Sequence, residues 1–374
     1  MAAHSSLMSS KRVLVALSGG VDSSVAALLM QQQGFDVVAV FLRHGAKTRP
    51  TKVTLKQGCC SAEDALDAAK VADQLGIPFH SIDMEEDFKD IKSYFREEYS
   101  LGRTPNPCAV CNRDIKFGAL VKFADSLDAE FLVTGHYARI RQGKAGFELW
   151  RGLDAKKDQS YVLFPISPEI LSRTLLPVGE LQKSETRQIA KEAGFPVFDK
   201  PDSQEICFVP SGNYRDVLLA SGGLGIPGSV VDKSGNVLAR HQGHMGFTRG
   251  QRRGLGFAST QAMYVLDIDP QTGDILVGPR TETLCLSVVV EDFQDFGQDG
   301  LELDSVEDLQ AQYRSSPGGV GVKAKKTLSG AIQVEFLRPV QSVNPGQGLA
   351  LYQGDRLLGG GWIQSVERMV PSQV

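Results

Sequence analysis

The amino-acid sequence predicts an α/β protein made of a parallel-sheet domain, a small central domain and a C-terminal β-barrel. From Lys11 to about Phe208, short apolar runs alternate with amphipathic stretches, as in a parallel sheet that carries helices on both faces. After Cys207, short strands are separated by turns rich in Gly and Pro, as in a small barrel. Because 374 residues exceed one ordinary core, we predict domains at residues 1–212, 213–281 and 282–374.

The first domain is expected to begin with a strand over residues 13–17, whose apolar side chains suit burial on both faces. A helix follows and ends at Gly34. Further strands are predicted at residues 37–42, 79–82 and 131–134, and further helices at residues 62–75, 85–99 and 115–127. Ligands of such sheets bind at the carboxyl ends of the strands, where the residues after Leu42 and the turn at Gly135 are expected.

The two later domains are predicted to be mostly β-structure. The expected strands cover residues 228–232, 237–240, 263–268, 275–277, 284–290, 331–337, 348–353 and 357–366.

A glycine-rich turn joins the first strand to the first helix, with the sequence S-G-G-V-D-S-S at residues 18–24. Gly19 and Gly20 permit positive φ and a close approach of the backbone to a ligand. Asp22 or a neighbouring Ser is expected to cap the helix, whose N-terminus favours phosphate. The turn is neither a Walker A loop nor G-x-G-x-x-G. A turn that only caps the helix is the alternative, but the full string resembles the PP-loop of N-type ATP pyrophosphatases.

Composition limits the classes of partner. Lys and Arg total 40 against 44 for Asp and Glu, a net charge of −4, so a polyanion would have to meet a local basic face. Arg249, Arg252, Arg253 and the lysines of residues 323–326 could supply one, or could be ordinary solvated side chains. No apolar run approaches the ~20 residues of a membrane span, and the polar first ten residues do not resemble a signal peptide. A cytoplasmic, monomeric protein with reduced thiols is expected.

The cysteines are candidates for chemistry. Cys108 and Cys111 form a C-x-x-C immediately before the helix predicted at 115–127, where the helix N-terminus and Arg113 would favour thiolates. Cys207 stands in a second polar segment. Half of a zinc site, a redox dithiol and sulfur transfer all remain open for these three thiols, and a nearby adenylating loop favours sulfur transfer. Two further sites are expected to be structural: Cys59–Cys60 as a packed turn and Cys285 as a core residue.

Seven segments occur in the order that is typical of bacterial tRNA-specific 2-thiouridylases, and nearly the whole chain resembles that family. They are the PP-loop and residues 58–65, 104–117, 134–138, 157–161, 202–208 and 250–256. The resemblance implies a PP-loop ATP-binding domain, a small central domain and a C-terminal barrel that holds tRNA. It also implies ATP-dependent thiolation at C2 of the wobble uridine, with Mg²⁺ on the phosphates and a persulfide sulfur from a donor protein.

The resemblance assigns the site residues. ATP binding is implied for Ala16, Leu17, Ser18, Gly19, Gly20, Val21, Asp22, Ser23, Leu42 and Gly135. Cys207 carries the persulfide, Asp22 serves the phosphate site, and Cys111 is the nucleophile that either frees hydrogen sulfide or forms a disulfide with Cys207. Contacts with tRNA or the target base are implied for Asn106, Pro107, Cys108, His136, Lys157, Asp158, Gln159, Gln312, Tyr313 and Gln347.

Two positions depart from the family pattern. Many members carry Asp where this chain has Cys108, and Arg where it has Gln312. Cys108 could join Cys111 and Cys207 as ligands of an iron–sulfur cluster, which is the alternative mechanism. Other PP-loop enzymes that form amide or C–N bonds, and an RNA-binding protein with a relic ATP site, are the alternative functions.

Overall fold

The structure is a computed structural model that describes residues 11–44, 62–144, 146–202, 206–209, 212–297 and 302–369. The predicted turn at Cys59–Cys60 and part of the 202–208 segment lie outside these residues. No helix within the described ranges is long and apolar enough to cross a membrane.

A parallel sheet forms the centre of the first domain. Its strands are β1 (Arg12–Ala16), β2 (Asp36–Arg43), β3 (Phe79–Asp83), β4 (Phe131–Val133) and, after the hairpin described below, β7 (Thr174–Leu175). They lie in the order β3-β2-β1-β4-β7, and every neighbouring pair is parallel. Leu14 packs into one apolar core, whereas Val13 and Val15 pack into the core on the opposite face. This alternation explains why the predicted first strand is apolar throughout.

Helices cover both faces of this sheet. They are α1 (Val21–Gln32), α2 (Ala62–Leu75), α3 (Glu85–Ser100), α4 (Pro107–Cys111), α5 (Leu120–Ser126), α6 (Pro168–Leu171) and α7 (Lys183–Glu192). The predicted strands and the helices at 62–75 and 85–99 are confirmed within one or two residues, and Gly34 follows α1 with φ +86°.

The helix predicted at 115–127 begins earlier than expected. It starts with Pro107 at the first turn of α4, where Asn106 caps it by accepting a hydrogen bond from the Ala109 N–H at 3.2 Å. A π-helical segment (Asn112–Ala119) links α4 to α5. The expectation that the C-x-x-C precedes the helix is therefore wrong, because both cysteines lie inside its first turns.

A hairpin in the first domain was not predicted. Its strands β5 (Ala138–Gln142) and β6 (Phe147–Arg151) do not join the parallel sheet. Instead, β6 pairs with a strand of the C-terminal barrel through Leu149 opposite Leu357. The hairpin therefore attaches the barrel directly to the first domain.

The central part contains α8 (Tyr214–Ala220) and strands β8 (Gly228–Val231), β9 (Val237–His241), β10 (Met263–Ile268) and β11 (Ile275–Pro279). These strands form one sheet in the order β10-β11-β8-β9. Short 3₁₀ turns occur at Ser160–Leu163, Pro177–Glu180, His244–Gly246, Arg280–Thr283 and Leu303–Ser305.

The C-terminal part is a closed barrel. Its strands are β12 (Cys285–Asp295), β13 (Leu309–Gln312), β14 (Val320–Lys326), β15 (Ile332–Val340), β16 (Gly348–Gln353) and β17 (Arg356–Arg368). They pair in the order β12-β15-β14-β13-β16-β17, and β17 pairs back onto β12. Cys285 is fully buried in this core, as expected.

Candidate active site

The glycine-rich turn runs from the end of β1 into α1: Ala16 ends the strand, Leu17 follows it, and Val21, Asp22 and Ser23 begin the helix. Gly19 has φ +70°, and a Cβ there would overlap the backbone of Asp64 in α2. Only glycine fits this conformation and this close approach. Such a turn lets the backbone approach a phosphate closely. We call residues 18–24 the phosphate turn, after the ligand that the sequence predicts for them.

The capping prediction for α1 is wrong. The N-cap is Gly20, and in the described part of the chain no side chain caps it. Ser23 instead bonds within the turn: its hydroxyl accepts from the Ser18 N–H at 3.1 Å and donates to the Gly20 carbonyl at 3.2 Å. The side chains thus stiffen the turn, and the first N–H groups of α1 are the donors that a bound phosphate would use.

Asp22, in the first turn of α1, belongs to a polar network. Both its oxygens accept from the Lys183 ammonium, at 2.7 and 2.8 Å, and one accepts from the Tyr137 hydroxyl at 2.9 Å. Lys183 is the first residue of α7 and its side chain is only 10% exposed. The carboxylate is thereby fixed beside the phosphate turn.

Lys183 also bridges to Asp202, at 2.8 Å. The Asp202 carboxylate accepts further bonds from Lys157 at 2.6 Å and Arg187 at 2.8 Å. Burial alone would raise its pKa, but the hydrogen bonds from the two lysines lower the pKa of Asp202 from 3.8 to about 2. One lysine therefore connects the phosphate turn to the residue that begins the 202–208 segment.

A second lysine supports the turn from the other side. Lys200 donates to the Gly19 carbonyl at 2.9 Å and to the carboxylates of Asp64 and Asp67 at 2.7 Å. It therefore fastens α2 and the 198–202 segment to the phosphate turn.

The end of β4 meets the start of α1. A Cβ on Gly135 would lie 2.6 Å from the Ser23 backbone nitrogen, so this position requires glycine. The next residue, His136, is buried between Thr134, 2.7 Å from its Nδ1, and the Lys116 ammonium, 3.3 Å from its Nε2. Burial, and then the Lys116 charge, hold the pKa of His136 well below 6.5. Leu42, which is also predicted to bind ATP, lies near the end of β2.

The three candidate cysteines differ in their exposure to solvent. Cys108 is exposed, whereas Cys111 and Cys207 are half-buried. Cys111 and Cys207 pack against the same apolar cluster, and Leu42 packs against it as well. Arg113 pairs with Asp114, at 2.6 Å, so its charge is shared with a carboxylate. Among the described residues, no group of three or more His, Cys, Asp or Glu side chains is arranged to hold a metal ion.

Several predicted RNA-contact residues bond within the protein. Asp158 is almost fully buried and accepts from Arg151 at 2.8 Å, and Gln159 accepts from the Tyr137 N–H at 3.0 Å. Asn106 is buried as the cap of α4, ahead of Pro107. Direct contact between these side chains and RNA stays a prediction.

The barrel residues behave similarly. Gln312 is buried and accepts from Arg151 at 2.6 Å, and Tyr313 packs edge-on against Phe336. Gln347 donates to the backbone carbonyls of Thr104 and Pro105, at 3.2 and 2.8 Å. Gln347 thereby holds the loop that leads into α4, although Gln347 and Thr104 are 243 residues apart in sequence.

Comparison with known proteins agrees with this architecture. Residues 11–211 match the family model described as a tRNA methyl transferase HUP domain, residues 218–279 its PRC-barrel domain, and residues 292–363 an aminomethyltransferase beta-barrel domain. The tRNA-specific 2-thiouridylase MnmA of Rhodopirellula baltica is 42% identical, with 94% of this chain and 96% of that protein aligned. The chain belongs to the tRNA-specific 2-thiouridylase family.

Other similarities differ in strength. MnmA of Acidithiobacillus ferrooxidans, a second member of the 2-thiouridylase family, is 43% identical over 96% of this chain and all of that protein. A solved complex of a 4-thiouridine synthetase with RNA and ATP aligns with 54% of this chain and 45% of its own, at 19% identity and a TM-score of 0.37. Family membership therefore rests on the full-length relatives.

Sequence reasoning missed several residues of this site, among them Lys183, Lys200, Tyr137 and Lys116. Tyr137 and Lys116 stand inside recognised segments, at 134–138 and 104–117. Lys183 stands outside every segment, in a charged helix that could equally face solvent. A capping box at Gln182 and Glu185 was the only local signal that a helix begins there.

Proposed function

We propose that this protein uses ATP to place sulfur on C2 of the wobble uridine of tRNA. The observation that carries the proposal is the shared apolar cluster of Cys111 and Cys207, which also contacts Leu42 at the ATP-binding edge of the sheet. Two thiols from distant segments thus pack against one cluster that also reaches the end of β2, the edge at which ATP is predicted to bind. The full-length relatives named 2-thiouridylases support the same conclusion.

The first step is activation of the base. Uracil O2 attacks the α-phosphorus of ATP, the bond to the bridging oxygen breaks, and pyrophosphate leaves with the electron pair while the N3 proton is lost to solvent. The turn at Ser18–Ser23 binds the phosphates with backbone N–H groups and the helix terminus. Asp22 and Lys183 fix the shape of that turn through their ion pair.

The second step transfers sulfur. The terminal sulfur of a Cys207 persulfide attacks C2, and AMP leaves with the former O2. The Cys111 thiolate then attacks Cys207 Sγ, so that the S–S bond breaks toward the product and a Cys111–Cys207 disulfide forms. External thiols reduce this disulfide before the next turnover. In the variant of this route, Cys111 releases hydrosulfide, which attacks C2 itself.

Mg²⁺ and an iron–sulfur cluster, the two metal groups that the sequence suggested, differ in how well they fit the site. Asp22 is occupied by Lys183 and Tyr137, so Mg²⁺ would enter as part of the ATP substrate, where it neutralises phosphate charge. Cys108, Cys111 and Cys207 are all described, and they do not form a metal-binding group. The arrangement of these three cysteines therefore does not fit an iron–sulfur cluster.

The proposal is tested by separating its two steps. Cys207→Ser protein, wobble-uridine tRNA, ATP and a persulfide donor are assayed for pyrophosphate and for 2-thiouridine. We expect pyrophosphate release within about threefold of wild type and no 2-thiouridine. Cys285→Ala removes a buried thiol in the barrel and should retain both activities. Formation of 2-thiouridine by the Cys207→Ser protein would sink the persulfide assignment.

A further inference from the structure

Lys116 lies within the 104–117 segment, but neither the site residues implied by the resemblance nor the proposed mechanism uses it. It lies in the π-helical segment that follows Cys111, and its ammonium is 3.3 Å from His136 Nε2. Within the described ranges, no carboxylate lies at ion-pair distance from this ammonium. This sets it apart from Lys157, Lys183 and Lys200, each of which pairs with aspartate.

The hydrogen bonds of His136 determine which of its ring nitrogens carries the proton. An ammonium can only donate, so Nε2 must accept, and Nδ1 must carry the proton that is donated to Thr134. Burial keeps the imidazole neutral, since its pKa is well below 6.5. His136 therefore holds Lys116 without cancelling its charge, as a carboxylate would.

The backbone connects Lys116 and His136 to two parts of the site, the first turn of α1 and the segment that carries Cys111. His136 follows Gly135, which packs against the first turn of α1 at Ser23. On the other side, π-helical winding bonds residue i to i+5, so Lys116 stands about one wide turn after Cys111. A straight α-helix would rotate residue i+5 well off the face of residue i. The wide turn is accommodated at Gly118, where a Cβ would lie 3.0 Å from the Arg113 carbonyl oxygen.

We infer that Lys116 stabilises the negative charge that develops on the α-phosphate oxygens during adenylation, and that His136 positions it for this task. The inference rests on the proposed function, and it adds a residue to the activation step. A fixed cation at the developing charge accelerates such a step because the site is already organised when the charge appears. His136 is on this view a positioning residue, in addition to any contact with tRNA.

The test measures tRNA-dependent pyrophosphate release by Lys116→Met protein over a range of ATP and tRNA concentrations. Loss of one preorganised donor predicts a fall in kcat of about 100- to 1,000-fold. We expect the KM for ATP and the Kd for tRNA to change by less than about threefold, since the effect belongs to the transition state. Lys116→Arg should recover part of the rate, which a merely structural defect would not explain. Lys122→Met changes an exposed lysine of α5 and should behave as wild type.

Each of the following outcomes would overturn the inference. Unchanged kcat in the Lys116→Met protein would show that the cation is not used. Normal pyrophosphate release with loss of 2-thiouridine would assign Lys116 to the sulfur step instead. An equal loss in the Met and Arg variants, with a fall in melting temperature, would assign it to folding. Wild-type protein that releases no pyrophosphate with tRNA would refute the proposed function itself, and the inference with it.

Discussion

Asp202 should contribute a measurable, pH-dependent share of stability. Its carboxylate bonds to Lys157, Lys183 and Arg187, and its pKa falls from 3.8 to about 2. At about 1.4 kcal/mol per pKa unit, this difference corresponds to about 2 kcal/mol. Because the folded-state pKa is the lower one, this stability is present above pH 3.8 and is lost as the pH falls toward 2.

The perturbation that tests this value is Asp202→Asn, which keeps the size of the side chain and removes its charge. Denaturant unfolding of wild type and variant is compared at pH 5, pH 4 and pH 3. The difference in unfolding free energy should be about 2 kcal/mol or more at pH 5, because the variant leaves three cations crowded together. About half of the pH-dependent part should be lost by pH 3.

A surface pair provides the matched control. Asp125 bonds to Arg173 at 2.6 Å, but its side chain is 54% exposed, so Asp125→Asn should cost less than about 0.5 kcal/mol. Parallel pH profiles for wild type and Asp202→Asn protein would refute the reasoning, as would a difference at pH 5 no larger than that of the control.

Two further substitutions test the proposed site. Asp22→Ala should reduce tRNA-dependent pyrophosphate release at least 100-fold while the protein stays folded, because Lys183 loses its partner beside the phosphate turn; normal release would remove the turn from the mechanism. Cys108→Ala and Cys108→Asp should keep most thiolation activity, because Cys108 is exposed and the persulfide route needs only Cys111 and Cys207. Anaerobically purified wild type that contains iron, together with an inactive, iron-free Cys108→Ala protein, would favour the cluster.

The parallel sheet could be predicted because its signals are local. Each buried strand is a short apolar run, and each helix shows its own periodicity, as in α2, whose bounds match the prediction. The β5–β6 hairpin has a readable alternation of Ala138 and Ile140 with arginines, but its partner strand is about 200 residues away. Local pattern says nothing about such a partner.

The site was predictable to the extent that it resides in the backbone turn. Gly19 and Gly135 indicate close packing, and in the structure a Cβ at either position would overlap backbone, that of Asp64 or that of Ser23. Pairing of side chains from distant elements left no comparable signal: Asp22 and Lys183 are 161 residues apart. The π-helical turn was also hidden, because its residues have the same propensities as those of an α-helix.

Arg151, the last residue of β6, links the barrel to the segment that carries Lys157 and Asp158. It donates to Gln312 in β13 at 2.6 Å and to Asp158 at 2.8 Å, and its guanidinium lies 3.7 Å from the Tyr352 ring centroid. The residue before Asp158 is Lys157, which pairs with Asp202.

A buried ion pair adds little stability over an apolar contact of the same size, but it fixes the direction in which two surfaces meet. In the proposed reaction, a tRNA that contacts the barrel and the phosphate turn together requires the distance between them to be constant. Two contacts fix this distance. Arg151 of the hairpin bonds to Gln312 of the barrel, and Gln347 of the barrel holds the loop before α4. The barrel therefore acts on the proposed chemistry through two fixed attachments, one at the residue next to Lys157 and one at the start of α4.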